Sequence, residues 1–279
     1  MEEFALIEKL FRPLAGPGAL DLKDDAVILT PPPGMDLVLT KDAIVEGVHF
    51  RADDPAQRIA QKLQRVNLSD LAAKGARPRG YLLAVAFRAD MDPDWLGGFG
   101  AGLAGDQSTF GWSLLGGDTV APPGPLTFSL TAIGTVATGK TILRTGAVAG
   151  DDVFVTGTIG DAGLGLALLA DPARLPDTSL RQALIERYQV PQPRVSFGSR
   201  LHGLARAGVD VSDGLLADAG HLAKASGVAF DLELAAMPVS DGARAMIGAG
   251  SAQPAQLLWF GDDYELVFTC APSSRAKVE

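Results

Sequence analysis

Carboxylates recur along the sequence in company that a solvated surface does not require. They are Asp24-Asp25, Thr40-Lys41-Asp42, Asp70 closing Asn67-Leu68-Ser69-Asp70, Asp118 after Gly116-Gly117, and Asp210 and Asp213 on either side of Ser212. Gathered carboxylates repel one another, and a bound divalent cation is the usual means of offsetting that repulsion. Every candidate ligand is an oxygen, and no Cys or His cluster has zinc spacing. The pattern therefore points to Mg2+ or a similar hard ion bridging the protein and substrate phosphates. Each position also has a bland reading, because Asp ends strands, caps turns and starts helices. Asp213 before Gly214 reads equally well as a plain N-cap, and Asp118 as part of a tight turn. Asp70, in the middle of a helical pattern, is disfavoured by propensity and calls for a reason. Gly116-Gly117 removes two side chains from what reads as a turn, which would let a ligand approach the backbone. Arg144 is a candidate phosphate clamp, with Lys41 and Lys62 weaker ones of the same kind.

The elements that must position these residues read as follows. Phe4, Ile7, Leu10 and Phe11 fall at helical spacing. Two aliphatic runs, Ala26 to Leu29 and Leu37 to Thr40, flank Pro31-Pro32-Pro33-Gly34-Met35-Asp36, which predicts a hairpin-like reversal with Asp24 and Asp25 beside Thr40 to Asp42. A long helix follows from Asp54-Pro55 to about Gly75, then a strand over Tyr81 to Phe87 and a helix capped at Asp92-Pro93, its glycines each weakening it by about 1 kcal/mol. Strands over Ser113 to Leu115 and Leu126 to Val136 complete the first half. The second half reads as strands over Asp152 to Thr156, into Val209 to Ser212, Val228 to Leu234 and Tyr264 to Cys270. Its helices fall near 162–169, 178–188, 194–206 and 214–225. The order of elements predicts an α+β or α/β protein of two domains, residues 1–138 and 139–279, the first a mixed sheet with helices on one face. Arg275 to Glu279 barely begin a helix after Pro272, which reads as a C-terminal domain lacking its natural end.

The 279 residues and 47% apolar composition suit a packed two-domain enzyme. A net charge of -9 argues against a nucleic-acid partner, which wants a basic face. The single cysteine, Cys270, reads as a buried strand thiol and points to a reducing compartment. The acidic amphipathic start is unlike a signal peptide, and no apolar run reaches membrane-spanning length, so the expectation is a soluble cytoplasmic protein. Gly100-Ala101-Gly102-Leu103-Ala104-Gly105 matches a dinucleotide fingerprint literally but lies inside a helical stretch with no strand before it. No P-loop is present, and Asp210 to Gly214 is one glycine short of a nucleophile elbow.

Six ordered motifs resemble the thiamine-monophosphate kinases over essentially the whole chain. They are Asp24-Asp25-Ala26, Thr40 to Asp42 with Val45 to Phe50, Asn67 to Ala73, Gly116 to Thr119, Val211 to Leu215 and Gly261 to Leu266. That family belongs to the ATP-binding superfamily that includes aminoimidazole ribonucleotide synthetase and selenophosphate synthetase. The resemblance implies an aminoimidazole ribonucleotide synthetase-like fold, a homodimer joined through the N-terminal sheets, ATP as co-substrate and several Mg2+ ions. It implies metal-binding positions at Asp25, Thr40, Asp42, Asp70, Asp118, Asp210 and Asp213, nucleotide contacts at Gly117, Asp118, Arg144 and Ser212, and substrate contacts at His49 and Asp262. Asp42, Asp70 and Asp118 are the implied catalytic set. The sequence departs from the family pattern at Asp21-Leu22-Lys23, at Lys41 and at Asp262. The expected reaction is in-line transfer of the γ-phosphoryl group of ATP to thiamine monophosphate. The alternatives are another ATP-dependent synthetase of the superfamily and a catalytically silent nucleotide-binding homologue.

Overall fold

The computed structural model describes residues 3–24, 26–121 and 123–278. The chain divides into two compact units, Met1–Leu71 with Ala76–Gly139, and Ala72–Gly75 with Lys140–Glu279.

The first unit opens with a short helix α1 (Glu3–Leu6) that widens into a π-helical turn over Ile7–Phe11. Its sheet follows from β1 (Met35–Val45), β2 (Arg77–Ala86), β3 (Ser113–Val120) and β4 (Thr127–Ala137), with helices α2 (Ala56–Ala73) and α3 (Pro93–Phe110) between strands. The strand order is β1-β4-β2-β3, so β1 and β3 are the two edges. β4 is antiparallel to β1 and β2, whereas β2 and β3 run parallel. Alternate residues of each strand point to opposite faces. One face carries Ile44, Phe128, Leu130, Tyr81, Leu83 and Val85, all buried. Helix α3 packs on that face through Phe99, whose ring centroid lies 4.8 Å from that of Phe128. The glycines of α3 have a packing use. A Cβ on Gly102 would lie 2.3 Å from the Gln57 carbonyl oxygen, so its absence lets α2 and α3 approach. Arg65 and Asp106 then join the two helices in a buried bidentate ion pair, at 2.7 and 2.9 Å.

The predicted hairpin does not form. Residues 26–34 are not strand, and β1 pairs over its whole length with β4, Met35 opposite Ala137 and Val45 opposite Thr127. Three consecutive prolines hold the chain extended and remove backbone donors, which suits a connector and not a folded-back partner strand. Ile28 is accordingly 68% exposed. Asp25 lies outside the described residues.

The second unit holds β5 (Asp152–Val155), α4 (Asp161–Ala170), α5 (Thr178–Gln189), α6 (Val195–Gly198), β6 (Ala205–Val211), α7 (Leu215–Ser226), α8 (Asp241–Gly248), α9 (Pro254–Leu257), β7 (Glu265–Cys270) and α10 (Arg275–Val278). The strand order is β5-β7-β6, both pairings antiparallel, with every residue of the central β7 buried. Val209, Val211, Leu222 and Val267 centre one apolar core, and Leu164, Leu168, Leu184 and Met246 another under α4, α5 and α8. Two expectations are corrected. The stretch 228–234 has no strand pairing, although Val228, Phe230 and Leu232 pack against the first core. The helix expected over 194–206 is the single turn α6, because Ala205 is drawn into β6 opposite Cys270.

Candidate functional site

In the first unit, Thr40 and Asp42 sit two residues apart on β1 and so share a face, the one covered by α2. The Thr40 hydroxyl donates to Asp70 Oδ2 at 2.5 Å. The Asp42 backbone N–H donates to Asn67 Oδ1 at 3.1 Å, and Asn67 Nδ2 donates back to the Leu63 carbonyl at 2.9 Å. Asn67 thereby fixes strand to helix, and the mid-helix Asp70 faces a strand hydroxyl and a second carboxyl, neither capping a kink nor lying free in solvent. Burial, reinforced by the Asp70 charge and a hydrogen bond to Asp70, pushes the Asp42 carboxyl up to about 6.

Asp118 does not join this pair. In register across the sheet, Asp42 lies opposite Leu130, Leu130 opposite Leu83 and Leu83 opposite Gly117. Asp118 occupies the next row, with Ala43, Ser129 and Ala84, and therefore the other face. At roughly 4.8 Å per strand the two edges are about 14 Å apart. Asp118 is exposed and accepts a hydrogen bond from the Thr119 N–H. With Asp24, Lys41, Gly116 and Gly117 it lines a cavity of about 600 Å³ on that open face. Gly116 and Gly117 are strand residues, not turn residues. A Cβ on Gly117 would fall 1.8 Å from the Leu83 carbonyl oxygen, so a strand neighbour is what excludes a side chain there.

His49 is exposed, and its Nδ1 accepts the Val45 N–H at 3.1 Å. Lys62, read as a weak phosphate candidate, is 2% exposed and donates to the His49 carbonyl at 2.8 Å. It braces the His49 loop from inside.

The second unit gathers its own set. Asp210, 5% exposed, is the last but one residue of β6, and the turn after the strand carries Ser212 and Asp213. Asp213 is not the N-cap of α7. That place is taken by Gly214, and the Ser212 and Asp213 N–H groups both donate to Asp218 Oδ2 at 2.9 Å. The turn is thus held by a carboxylate that sequence reasoning missed, since Asp218 looked like one more polar residue of a helix. The second motif folds against the first. Asp262 N–H donates to the Ser212 carbonyl at 2.9 Å and Tyr264 N–H to that of Val211 at 2.8 Å. Asp262 and Tyr264 adopt left-handed backbone angles, φ +67° and +50°. Such angles persist only where surroundings enforce them. Here Asp263 accepts the Gly160 and Ala162 N–H groups at 2.6 and 3.1 Å, and Glu265, with no exposed surface, is bonded to Arg187, Arg194 and Thr156. Burial, partly offset by those two N–H groups, pushes Asp263 up to about 7. A charged Glu265 heading the apolar run Leu-Val-Phe was the sequence signal for this clamp. Arg144 is exposed, and its carbonyl accepts the Ser226 hydroxyl at 3.1 Å.

Among the described residues no group of three or more His, Cys, Asp and Glu side chains is arranged to hold a metal ion. What the structure assembles is a hydrogen-bonded carboxyl pair with a threonine in the first unit, and a carboxylate-bearing turn pair in the second.

Residues 23–136 match the family model of AIR synthase related protein, N-terminal domain. A thiamine-monophosphate kinase of Caulobacter vibrioides is 48% identical over 279 residues, covering 97% of this chain and 77% of that protein. The crystal structure of thiamine-monophosphate kinase from Stenotrophomonas maltophilia K279a has a TM-score of 0.88 at 40% identity, over 100% of this chain and 89% of that one. AaThiL complexed with AMPPCP and TMP has a TM-score of 0.82 at 29% identity, over 97% and 85%.

Proposed function

The chain belongs to the thiamine-monophosphate kinase family and has its AIR synthase-like fold, and we propose that it transfers the γ-phosphoryl group of ATP to thiamine monophosphate, giving thiamine diphosphate and ADP. The observation that carries this reading is the Thr40–Asp70–Asp42 constellation. Two carboxyls and a hydroxyl are held on a rigid strand and helix, with the Asp42 carboxyl pushed up to about 6 by burial and then by its neighbour Asp70. A carboxyl pair of this kind favours a cation between its members, and its all-oxygen donor set fits Mg2+. Thr40, Asp42 and Asp70 would hold it; Asp25, Asp118, Asp210 and Asp213 are proposed for further ions. Bound there, the ion would neutralise phosphate charge and orient donor and acceptor.

The rest of the task falls to the chain's own groups. The attacking phosphate oxygen is ionised at neutral pH, so transfer in line needs no general base. Ser212 and Asp213 spend their N–H groups on Asp218, so that turn offers a phosphate no amide nest and presents Asp213 outward instead. Gly117, Asp118, Arg144 and Ser212 are the proposed nucleotide contacts, and His49 and Asp262 the substrate contacts. Asp42 and Asp70 form the proposed catalytic pair; Asp118, expected with them, lies on the other face of the sheet and keeps only its proposed nucleotide and further-ion roles. A homodimer through the first unit's sheet is supported by Leu37, Leu39 and Val120, exposed on its strands. A cytoplasmic location suits a chain whose one cysteine is a buried free thiol.

A coupled ADP-release assay tests the reading. ADP formed with ATP and Mg2+ only when thiamine monophosphate is present supports it. Equal ADP release with other phosphate acceptors, or nucleotide binding without turnover, overturns it.

A further inference from the structure

Lys62 is buried, and a lysine in that position calls for a reason, because taking an ammonium group out of water is costly. Its head group donates to the His49 carbonyl at 2.8 Å. That bond is one of three by which α2 holds β1 and the loop that follows it. Asp70 receives the Thr40 hydroxyl, Asn67 receives the Asp42 N–H at 3.1 Å, and Lys62 donates to His49. The order is antiparallel: helix positions 70, 67 and 62 meet positions 40, 42 and 49. At 1.5 Å per residue, Lys62 and Asp70 are about 12 Å apart along the helix, a span that one extended small-molecule substrate can bridge. A single rigid element thus carries the metal pair at one end and the backing of the His49 loop at the other.

The loop itself is folded by other bonds. The Gly47 N–H donates to the Phe50 carbonyl at 2.8 Å, the His49 N–H to the Val45 carbonyl at 2.9 Å, and the Val45 N–H to His49 Nδ1 at 3.1 Å. Phe50 is buried with its ring centroid 5.9 Å from that of Phe128, and the Glu46 carboxylate accepts the Leu126 N–H at 3.0 Å. These contacts close the loop on itself and seat it on the start of β4. The Lys62 bond does something different, tying the loop to the helix that carries Asp70. We infer that Lys62 is a positioning residue for the phosphoryl acceptor, holding His49 in register with the Asp42–Asp70 pair. This inference rests on the reading of His49 as a substrate contact. Lys62 acts through His49 and meets no phosphate itself.

The test is a double-mutant cycle on the full chain. Lys62→Met keeps most of the apolar stem and deletes the donor, so it should raise KM for thiamine monophosphate about tenfold and leave KM for ATP within twofold of wild type. Calorimetric titration of thiamine monophosphate should show the same loss of affinity. His49→Ala should raise KM for thiamine monophosphate as well. Because the two residues act as one, the double variant should be no worse than the poorer single variant, whereas independent sites would multiply their effects. Lys62→Gln, which keeps a donor on a shorter stem, should show the same split at smaller size and carries the cycle if Lys62→Met does not fold. Multiplying effects, an unmoved KM for thiamine monophosphate, or an equal rise in KM for ATP overturns the inference. An unmoved KM in His49→Ala would instead remove His49 from the substrate contacts, and a wild-type protein without thiamine monophosphate-dependent turnover would sink the substrate reading itself.

Discussion

Asp42 of β1 and Asp70 of α2 meet as a hydrogen-bonded carboxyl pair, and burial with the Asp70 charge moves Asp42 from 3.8 to about 6. Between those values the folded protein binds more protons than the unfolded chain, so its stability falls as pH rises through that window. The favourable contribution is intact below pH 3.8 and lost above about 6. Its size is at most about 3 kcal/mol, from the free-energy equivalent of a pKa shift. Without divalent ions, melting temperature should therefore decline from pH 4.5 to 7.5, and Asp42→Asn should flatten part of that decline. Added Mg2+ at pH 7.5 should raise the wild-type melting temperature and leave Asp42→Asn nearly unmoved. A Mg2+ response of equal size in both proteins would remove Asp42 from the proposed metal set.

The same pair should govern turnover. Asp42→Asn or Asp70→Asn keeps the shape and most hydrogen bonds of the side chain while removing the charge. Loss of a preorganised electrostatic group at a transferring centre costs about 10²-fold or more in kcat. Circular dichroism should match wild type in both variants. Near-normal kcat in either would exclude that residue from the catalytic set.

Glu265 should matter for stability more than for chemistry. It is fully buried and receives Arg187 at 2.7 Å and Arg194 Nε at 2.6 Å. Removing one partner of a buried ion pair leaves uncompensated charge, at about 3–5 kcal/mol. Glu265→Ala should therefore lose several kcal/mol in urea denaturation, with Glu265→Gln between it and wild type. The Asp262 turn is bound to the same network, since Arg187 also donates to the Asp263 carbonyl at 3.1 Å. KM for thiamine monophosphate should rise in parallel with the loss of stability.

How much of this was legible beforehand differs by residue. Asp70 was, because a carboxylate in mid-helix contradicts propensity, and its partner proved to be a strand hydroxyl and a second carboxyl. The helices α2, α3 and α7 and the strands β4 and β7 follow from apolar periodicity and capping residues such as Asp92. The hairpin was misread because local breaker residues say where a chain turns and not which strand it will pair with. β1 found its partner in β4, far along the sequence. The family resemblance, and not the spacing of residues, grouped Asp118 with Asp42, and sheet register puts the two on opposite faces. Asp218 and Asp263 were invisible because their work is to accept backbone N–H groups, a role that spacing does not encode.

Gly116 and Gly117 separate two explanations of one motif. Read as a bare turn, both glycines would serve ligand approach equally. In β3 they differ: a Cβ on Gly116 would meet Leu82 Cδ2 at 3.4 Å, ordinary contact with a movable methyl, while one on Gly117 would strike the Leu83 carbonyl oxygen at 1.8 Å. Backbone cannot yield there without parting β2 from β3. Gly117→Ala should accordingly destabilise the protein by more than about 2 kcal/mol, in the range of overpacked sites. Gly116→Ala should change stability by less than about 1 kcal/mol. If a nucleotide approaches the open face at this point, Gly116→Ala will weaken ATP binding while its melting temperature stays near wild type, a combination that titration calorimetry and a thermal melt on the same sample would reveal. Equal destabilisation by the two substitutions would mean that β3 does not hold the register described here.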